Sequence, residues 1–273
     1  MVINKQPVCL TIAGLDPSGG AGIIADIKTF SAFGCFAAAA VSSLTYQNTT
    51  GVFGAVHQTG ESIRGQVEPV FSDYEVAAVK TGMLSTKQVI VETARLLSAS
   101  KLANIVVDPV VRSTSGFDLI DDAALRTLIE SLFPIALIVT PNIPEAERIV
   151  GFKIETDFQV ESAGEKILAM GAMNVLIKGG HLHSKQGNQR RAIDYLIGES
   201  GVQRFESEFI ETTATHGTGC ALAAAITANL ALGRDLNEAV SIAKEFVFEA
   251  IRTAPGLGQG HSPINIPSIS PME

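Results

Sequence analysis

The chain has 273 residues and a mass of 28.7 kDa, with 46% hydrophobic and 18% charged residues, enough to bury one large core and too apolar for a disordered chain. A net charge of -8 and a pI near 5.2, with no Lys/Arg cluster, exclude a nucleic-acid-binding face. The three cysteines, Cys9, Cys35 and Cys220, are odd in number and widely spaced, which excludes a disulfide framework or a zinc site and points to a reducing cytoplasm.

In chain order, the first apolar run, VCLTIAG (8–14), reads as a strand rather than a signal peptide, having no cleavage pattern behind it. It leads into AGLDPSGGAG (13–22) and a probable helix reaching about Phe33. Gly20, Gly22 and Ala25 satisfy the dinucleotide pattern G-x-G-x-x-G/A. The acidic residue that should hold a ribose about twenty positions on is absent from AAAAVSSLTYQN (37–48), where the polar group is Gln47. A planar amide can pair twice with the edge of an aminopyrimidine or similar ring, or be a solvated turn residue. Asp16 is equally two-sided: an Asp in a Gly/Pro turn bonds its own backbone, and at a strand end it can anchor a substrate hydroxyl or amine.

Further runs, AAVKTG, NIVVDP, ALIVTPN and NVLIKGG, end in Gly, Pro, Asp, Asn or Lys, as buried parallel strands with polar C-terminal ends should. A helix is predicted from the N-cap Asp121, with Leu125, Leu128, Ile129 and Leu132 on one face. RRAIDYLIG and GVQRFESEFIE, joined near Gly198 to Gly201, predict a hairpin. Strands alternating with helices imply a mainly parallel sheet covered on both faces, with its site at the strand C-terminal ends. No repeat or linker divides the chain, so residues 1–273 form one domain, with a loop-like tail after Pro255 that is expected to lose order after about residue 263.

The unusual residues collect at those strand ends. Asp108 follows one strand and Lys178 ends another. Asn142 and Glu145 in TPNIPEAE suit Mg²⁺ held through water near phosphates, or simply a helix N-terminus with its proline. THGTGC (215–220) precedes the apolar helix ALAAAITANLALG, which Thr227 and Asn229 interrupt and which is too short to span a bilayer. Gly217, Thr218 and Gly219 let backbone N–H groups converge at a helix N-terminus, where the macrodipole favours an anion. Cys220 lies in the first turn, a position that lowers a thiol pKa, so it is a candidate nucleophile or base. The histidines form no recognisable triad, and no Walker A pattern occurs.

AGLDPSGGAG, ADIKTFSAFG, YQNTTGV, KTGML, VVDPVV, TPNIPEA, LIKGGH and THGTGC occur in the order and approximate spacing of the bacterial hydroxymethylpyrimidine/phosphomethylpyrimidine kinases, which the chain resembles over roughly residues 8 to 262. The resemblance implies a ribokinase-like three-layer α/β/α fold with a mainly parallel central sheet. It implies Mg²⁺-dependent transfer from ATP to a small-molecule pyrimidine, then to the monophosphate, in a cytoplasmic homodimer. By that resemblance Gln47 binds the pyrimidine edge, with Asp16, Met83 and Val110 lining its pocket. Cys220 is the base beside the anion hole of Gly217, Thr218 and Gly219. Lys178, Asn142 and Asp108 serve the nucleotide, and Glu145 the metal.

Arg112, Ala214 and His261 depart from the family pattern, and the loop RSTSGFD (112–118) is expected to cover the site. Pyridoxal kinase activity is the nearest alternative, lowered by the absence of a cysteine in that loop. A Cys220-dependent acyl transferase and a nucleotide-binding module without turnover are the other classes considered.

Overall fold

The computed structural model describes residues 6–112, 116, 118–179, 184–186 and 189–266. Its elements in chain order are β1 (Val8–Leu15), α1 (Gly22–Ala32), β2 (Phe36–Asn48), β3 (Gly51–His57), α2 (Gly60–Asp73), β4 (Val76–Thr81), α3 (Lys87–Ser100), β5 (Ile105–Val107), α4 (Asp122–Leu132), β6 (Ile138–Val139), α5 (Ile143–Val150), α6 (Asp157–Leu168), β7 (Asn174–Lys178), β8 (Ser184–Gln186), β9 (Gln189–Gly198), β10 (Gly201–Glu208), α7 (Thr218–Ala231) and α8 (Leu236–Arg252). All strands join one sheet in the order β10-β9-β7-β6-β5-β4-β1-β2-β3, with β8 also on β9. From β7 to β2 every neighbour is parallel; β3 at one edge and β8, β9 and β10 at the other are antiparallel.

The period-two alternation of strand side chains fills two cores. Leu10 and Ile12 of β1, Ile105 and Val107 of β5, and Val175 and Ile177 of β7 pack against α2 to α6. Val106 and Leu176 point the other way, toward α7 and α8, and Cys9 packs with Phe30 and Cys35 on the same side. This is the three-layer α/β/α arrangement. Helix α7 is buried along most of its length because alanines dominate it, which lets α1, α8 and the sheet approach closely.

Most helix starts carry side-chain caps: Asp121 accepts from Ala124 N at 2.7 Å, and Thr59, Thr86, Thr156 and Asp235 act alike. α7 begins without one. At the start of the tail Ile264 is buried and its N–H donates to His216 O, while Asn265 N–H donates to Ala250 O. Residues 267–273 lie outside the described residues. No described helix is long and apolar enough to cross a membrane.

Candidate active site

The Gly-rich loop after β1 folds around Asp16. Its carboxylate accepts from Ser18 N (2.8 Å), Ser18 Oγ (2.7 Å), Gly20 N (3.2 Å), Ala21 N (2.9 Å) and His216 Nε2 (2.7 Å), and the Gln47 amide also reaches it. Burial opposes the charge, but bonds from His216, Ser18 and Gln47 outweigh it and hold the carboxyl well below the usual range. A carboxylate offers about four lone-pair sites, so the side chain is saturated by the protein: the turn reading of Asp16 is the one realised, at the wall of the site. The amides of Gly20 and Ala21 are thereby spent, which removes the pyrophosphate cradle that a dinucleotide reading of this loop requires.

The same loop locks against the start of α7. Gly217 has φ +86°, and a Cβ there would lie 1.8 Å from Gly20 O, so only glycine admits this approach. α7 has no side-chain cap and its first turn lines the cavity; Thr218 N–H donates to Thr215 O at 3.3 Å, and the N–H groups of Gly219 and Cys220, without an intrahelical acceptor, offer a place for an anion. Lys178 Nζ adds charge there, since a Cβ on Gly219 would lie 3.2 Å from it. Cys220 is partly buried in the first turn. The expected low thiol pKa is corrected: burial pushes it up to about 11, with Lys80 pulling it down, Asp26 and Asp108 pushing it up, and the Gly22 N–H pulling it down.

Behind Lys178 lies an acidic pair. Lys178 Nζ is 3.0 Å from Asp108 Oδ1 and 4.0 Å from Glu145 Oε2, and Thr140 Oγ1 donates to Asp108 at 3.1 Å. Asn142 caps α5, accepting from Glu145 N at 2.9 Å, while Glu145 accepts from Asn142 N at 2.8 Å. This capping box uses the Asn142 carbonyl and leaves its NH₂ as a donor, which suits phosphate oxygens. Burial first, and then the Asp108 charge, raise the Glu145 pKa to about 7 against the pull of Lys178. Two carboxylates sharing one ammonium leave room for further positive charge. Among the described residues no cluster of three or more His, Cys, Asp or Glu could cage a metal. The carboxylates of Asp108 and Glu145 are hard oxygen donors of the kind that could hold Mg²⁺ through water beside phosphate.

Asp16, Asp108, Asn142, Glu145, Lys178 and the start of α7 with Cys220 open on one cavity of about 1240 Å³, which Gln47, Met83 and Val110 also line. With that geometry established, residues 16–265 match the family described as phosphomethylpyrimidine kinase. The chain belongs to that family. It is 41% identical to the hydroxymethylpyrimidine/phosphomethylpyrimidine kinase of Bacillus subtilis, over 94% of this chain and 93% of that one. It is 43% identical, over 94% of its length, to the thiamine biosynthesis bifunctional protein ThiED of Geobacter sulfurreducens, of which it spans about half (51%). Its fold matches that of Staphylococcus aureus pyridoxal kinase in complex with AMP-PCP at a TM-score of 0.88 and 30% identity, covering 99% of this chain and 97% of that chain. Kinases of this family are ATP-dependent phosphotransferases, and AMP-PCP is an ATP analogue.

In this phosphomethylpyrimidine kinase family member the twelve residues singled out from sequence all face one cavity. Three that the sequence left aside join them: His216 on Asp16, and Lys80 and Lys244, which pair with Asp26 and Asp194 at 2.8 Å each. Arg112 pairs with Asp118 at 2.8 Å, and His261 ties the tail to the β2–β3 turn through its N–H to Thr49 O at 2.8 Å. Ala214 is buried. His181, His183 and residues 113–115 and 117 of the loop expected to cover the site lie outside the described residues.

Proposed function

We propose that this site transfers the γ-phosphoryl group of Mg²⁺-ATP to the hydroxymethyl oxygen of 4-amino-5-hydroxymethyl-2-methylpyrimidine, and then a second group to the monophosphate. The observation that carries this reading is the single cavity in which Gln47, fixed by Asp16, stands opposite the uncapped start of α7 with Cys220 and Lys178. Because Asp16 holds the Gln47 NH₂, the carbonyl oxygen of that amide is free to accept from the exocyclic amine of an aminopyrimidine. Met83, buried against Gly14, and Val110 are the apolar walls for the ring.

In the first transfer the Cys220 thiolate takes the hydroxyl proton as the hydroxyl oxygen bonds to the γ-phosphorus, and the bond to the bridging oxygen breaks to release ADP. The N–H groups of Gly219 and Cys220 and the Lys178 ammonium stabilise the charge on the transferring oxygens. Glu145 and Asp108, through water, would hold Mg²⁺, which supplies charge neutralisation on the polyphosphate, and Asn142 donates to it. In the second transfer the nucleophile is a phosphate oxygen already ionised near neutral pH, so Cys220 matters less.

The same reading takes the chain as one cytoplasmic kinase domain acting as a homodimer. Leu44 and Tyr46 of β2 and Val56 of β3 are 41%, 55% and 48% exposed on one face of the sheet edge, an apolar surface that supports self-association. Light scattering on purified protein tests it.

The deciding assay is ADP release with Mg²⁺-ATP and the pyrimidine or pyridoxal, resolving mono- and diphosphate products. Diphosphate formation is expected; turnover of pyridoxal alone would overturn the substrate. Cys220→Ala should lose the first step and keep ATP binding, and full first-step activity in that variant would remove the base role.

A further inference from the structure

Lys80 has no part in the chemistry above, yet its ammonium is fully buried at the end of β4 and lines the cavity that Cys220 lines. It lies 2.9 and 2.8 Å from the two oxygens of Asp26, which also accepts from Thr11 Oγ1 at 2.6 Å. Desolvating two ions costs several kcal/mol each, and apolar replacements of a buried pair are often neutral or stabilising. Stability is therefore a poor reason for an ion pair at this place.

Helix α1 links the pair to the thiol. Gly22, its first residue, donates its N–H to Cys220, and Asp26 stands one turn later on the same helix face with its carboxylate on Lys80. Helix α7, which carries Cys220, packs across β4, which carries Lys80. The charged groups around Cys220 are Lys80 from β4, Asp26 from α1, Asp108 after β5, Lys178 from β7, and the His216–Asp16 pair beside its own loop. Lys80 pulls the thiol toward thiolate more strongly than Asp26 pushes it back. Burial works to neutralise Lys80, but Asp26, Cys220 and Asp108 hold it ionised above the ordinary lysine range.

We propose that Lys80, clamped by Asp26, is a positioning residue that stabilises the Cys220 thiolate for the hydroxyl transfer and is dispensable for the phosphate transfer. Asp26 keeps the ammonium charged in a place where burial alone would work to neutralise it. The inference rests on the proposed kinase reading for its second half only.

The test is iodoacetamide alkylation of Cys220 against pH, without substrate, in the wild type and in Lys80→Met/Asp26→Leu, which removes both ions and leaves no uncompensated charge. Cys9 and Cys35 are 0% and 2% exposed, so the label reads Cys220, and Cys220→Ala is the blank. Alkylation at pH 8 should fall by about tenfold in the double variant, the change that one unit of thiol proton affinity carries. The ratio of first-step to second-step kcat should fall with it. Lys80→Gln/Asp26→Asn, which keeps a hydrogen bond and removes both charges, replaces the apolar pair if that pair does not fold. An unchanged alkylation profile in a folded, charge-free variant overturns the proposal. A shifted profile in a protein that phosphorylates no pyrimidine would leave it standing and overturn the substrate reading instead.

Discussion

Replacing Asp16 by Asn keeps shape and volume but turns one carboxylate oxygen into an NH₂ donor. Oδ1 accepts two bonds from Ser18, and Oδ2 accepts from Gly20 N, Ala21 N and His216. Whichever way the amide turns, its NH₂ meets at least one backbone donor, Ser18 N on one side or Gly20 N and Ala21 N on the other. Bonds to a charged acceptor contribute about 1.5–3 kcal/mol each net, and water from the cavity replaces some of them, so a loss of about 3 kcal/mol is expected. Urea unfolding should show it as a lower midpoint at unchanged m-value. Because the wild-type carboxyl is held below its ordinary range, its contribution is full above an unfolded pKa of about 3.9 and is lost as pH falls through the lower folded value. The variant should therefore lack part of the acid-side loss. Released from Asp16, Gln47 should raise KM for the pyrimidine by roughly tenfold while KM for ATP moves little, tenfold being about 1.4 kcal/mol. A variant within about 0.5 kcal/mol of wild type, the range of ordinary surface substitutions, would show that this loop does not depend on Asp16 and would refute the reasoning.

Gly217→Ala would drive a Cβ into Gly20 O and strain a left-handed residue, so first- and second-step kcat should both fall by on the order of a hundredfold, as for loss of oxyanion donors; steady-state assays of each step check this. Glu145, raised to about 7, contributes stability that is full below its unfolded pKa of 4.5 and is lost as pH rises through 7. Metal-free Glu145→Gln should therefore gain on the wild type by on the order of 3 kcal/mol between pH 4.5 and 8, measured by denaturation in EDTA. Among the described residues, Lys244→Met leaves Asp194 only Gly179 N, at 3.0 Å, in a buried place and should cost about 3–5 kcal/mol, and adding Asp194→Leu should return most of it.

The layers and the strand ends were legible because burial on both sheet faces demands long apolar runs, and because polar residues can only begin where those runs stop. Hidden were the pairings that join distant segments. His216 looked surplus beside the glycines, since its partner Asp16 is 200 residues away. Lys80 and Asp26 are 54 residues apart and carry no local sign of their pairing, yet both are fully buried. The Cys220 pKa was misjudged for the same reason: a helix end is a local feature, whereas desolvation depends on everything packed above it. Strand β3 went unread because GVFGAVH has two glycines and no clean alternation; it forms because β2, 13 residues long, runs on past Leu44, where its pairing with β1 ends, to Asn48 and offers it an edge.

The charges in the cavity explain how a chain of net charge -8 can handle a polyphosphate. Each described lysine or arginine lining it has an acidic partner: Lys80 with Asp26, Lys178 with Asp108, Lys244 with Asp194, Lys153 with Glu147, and Arg112 and Arg148 with Asp118. A bare nucleotide therefore meets no surplus of positive charge and would have to displace carboxylates to gain any, at the cost of leaving them unpaired. A nucleotide that arrives with its own divalent cation avoids that cost, because the cation neutralises the phosphates and suits the acidic pair behind Lys178. Discrimination then falls to groups with fixed direction, the N–H groups at the start of α7 and the Gln47 amide held by Asp16. The loop after β1, which holds Asp16, and the loop before α7 are bolted together by the His216–Asp16 bond and by the contact of Gly217 with Gly20.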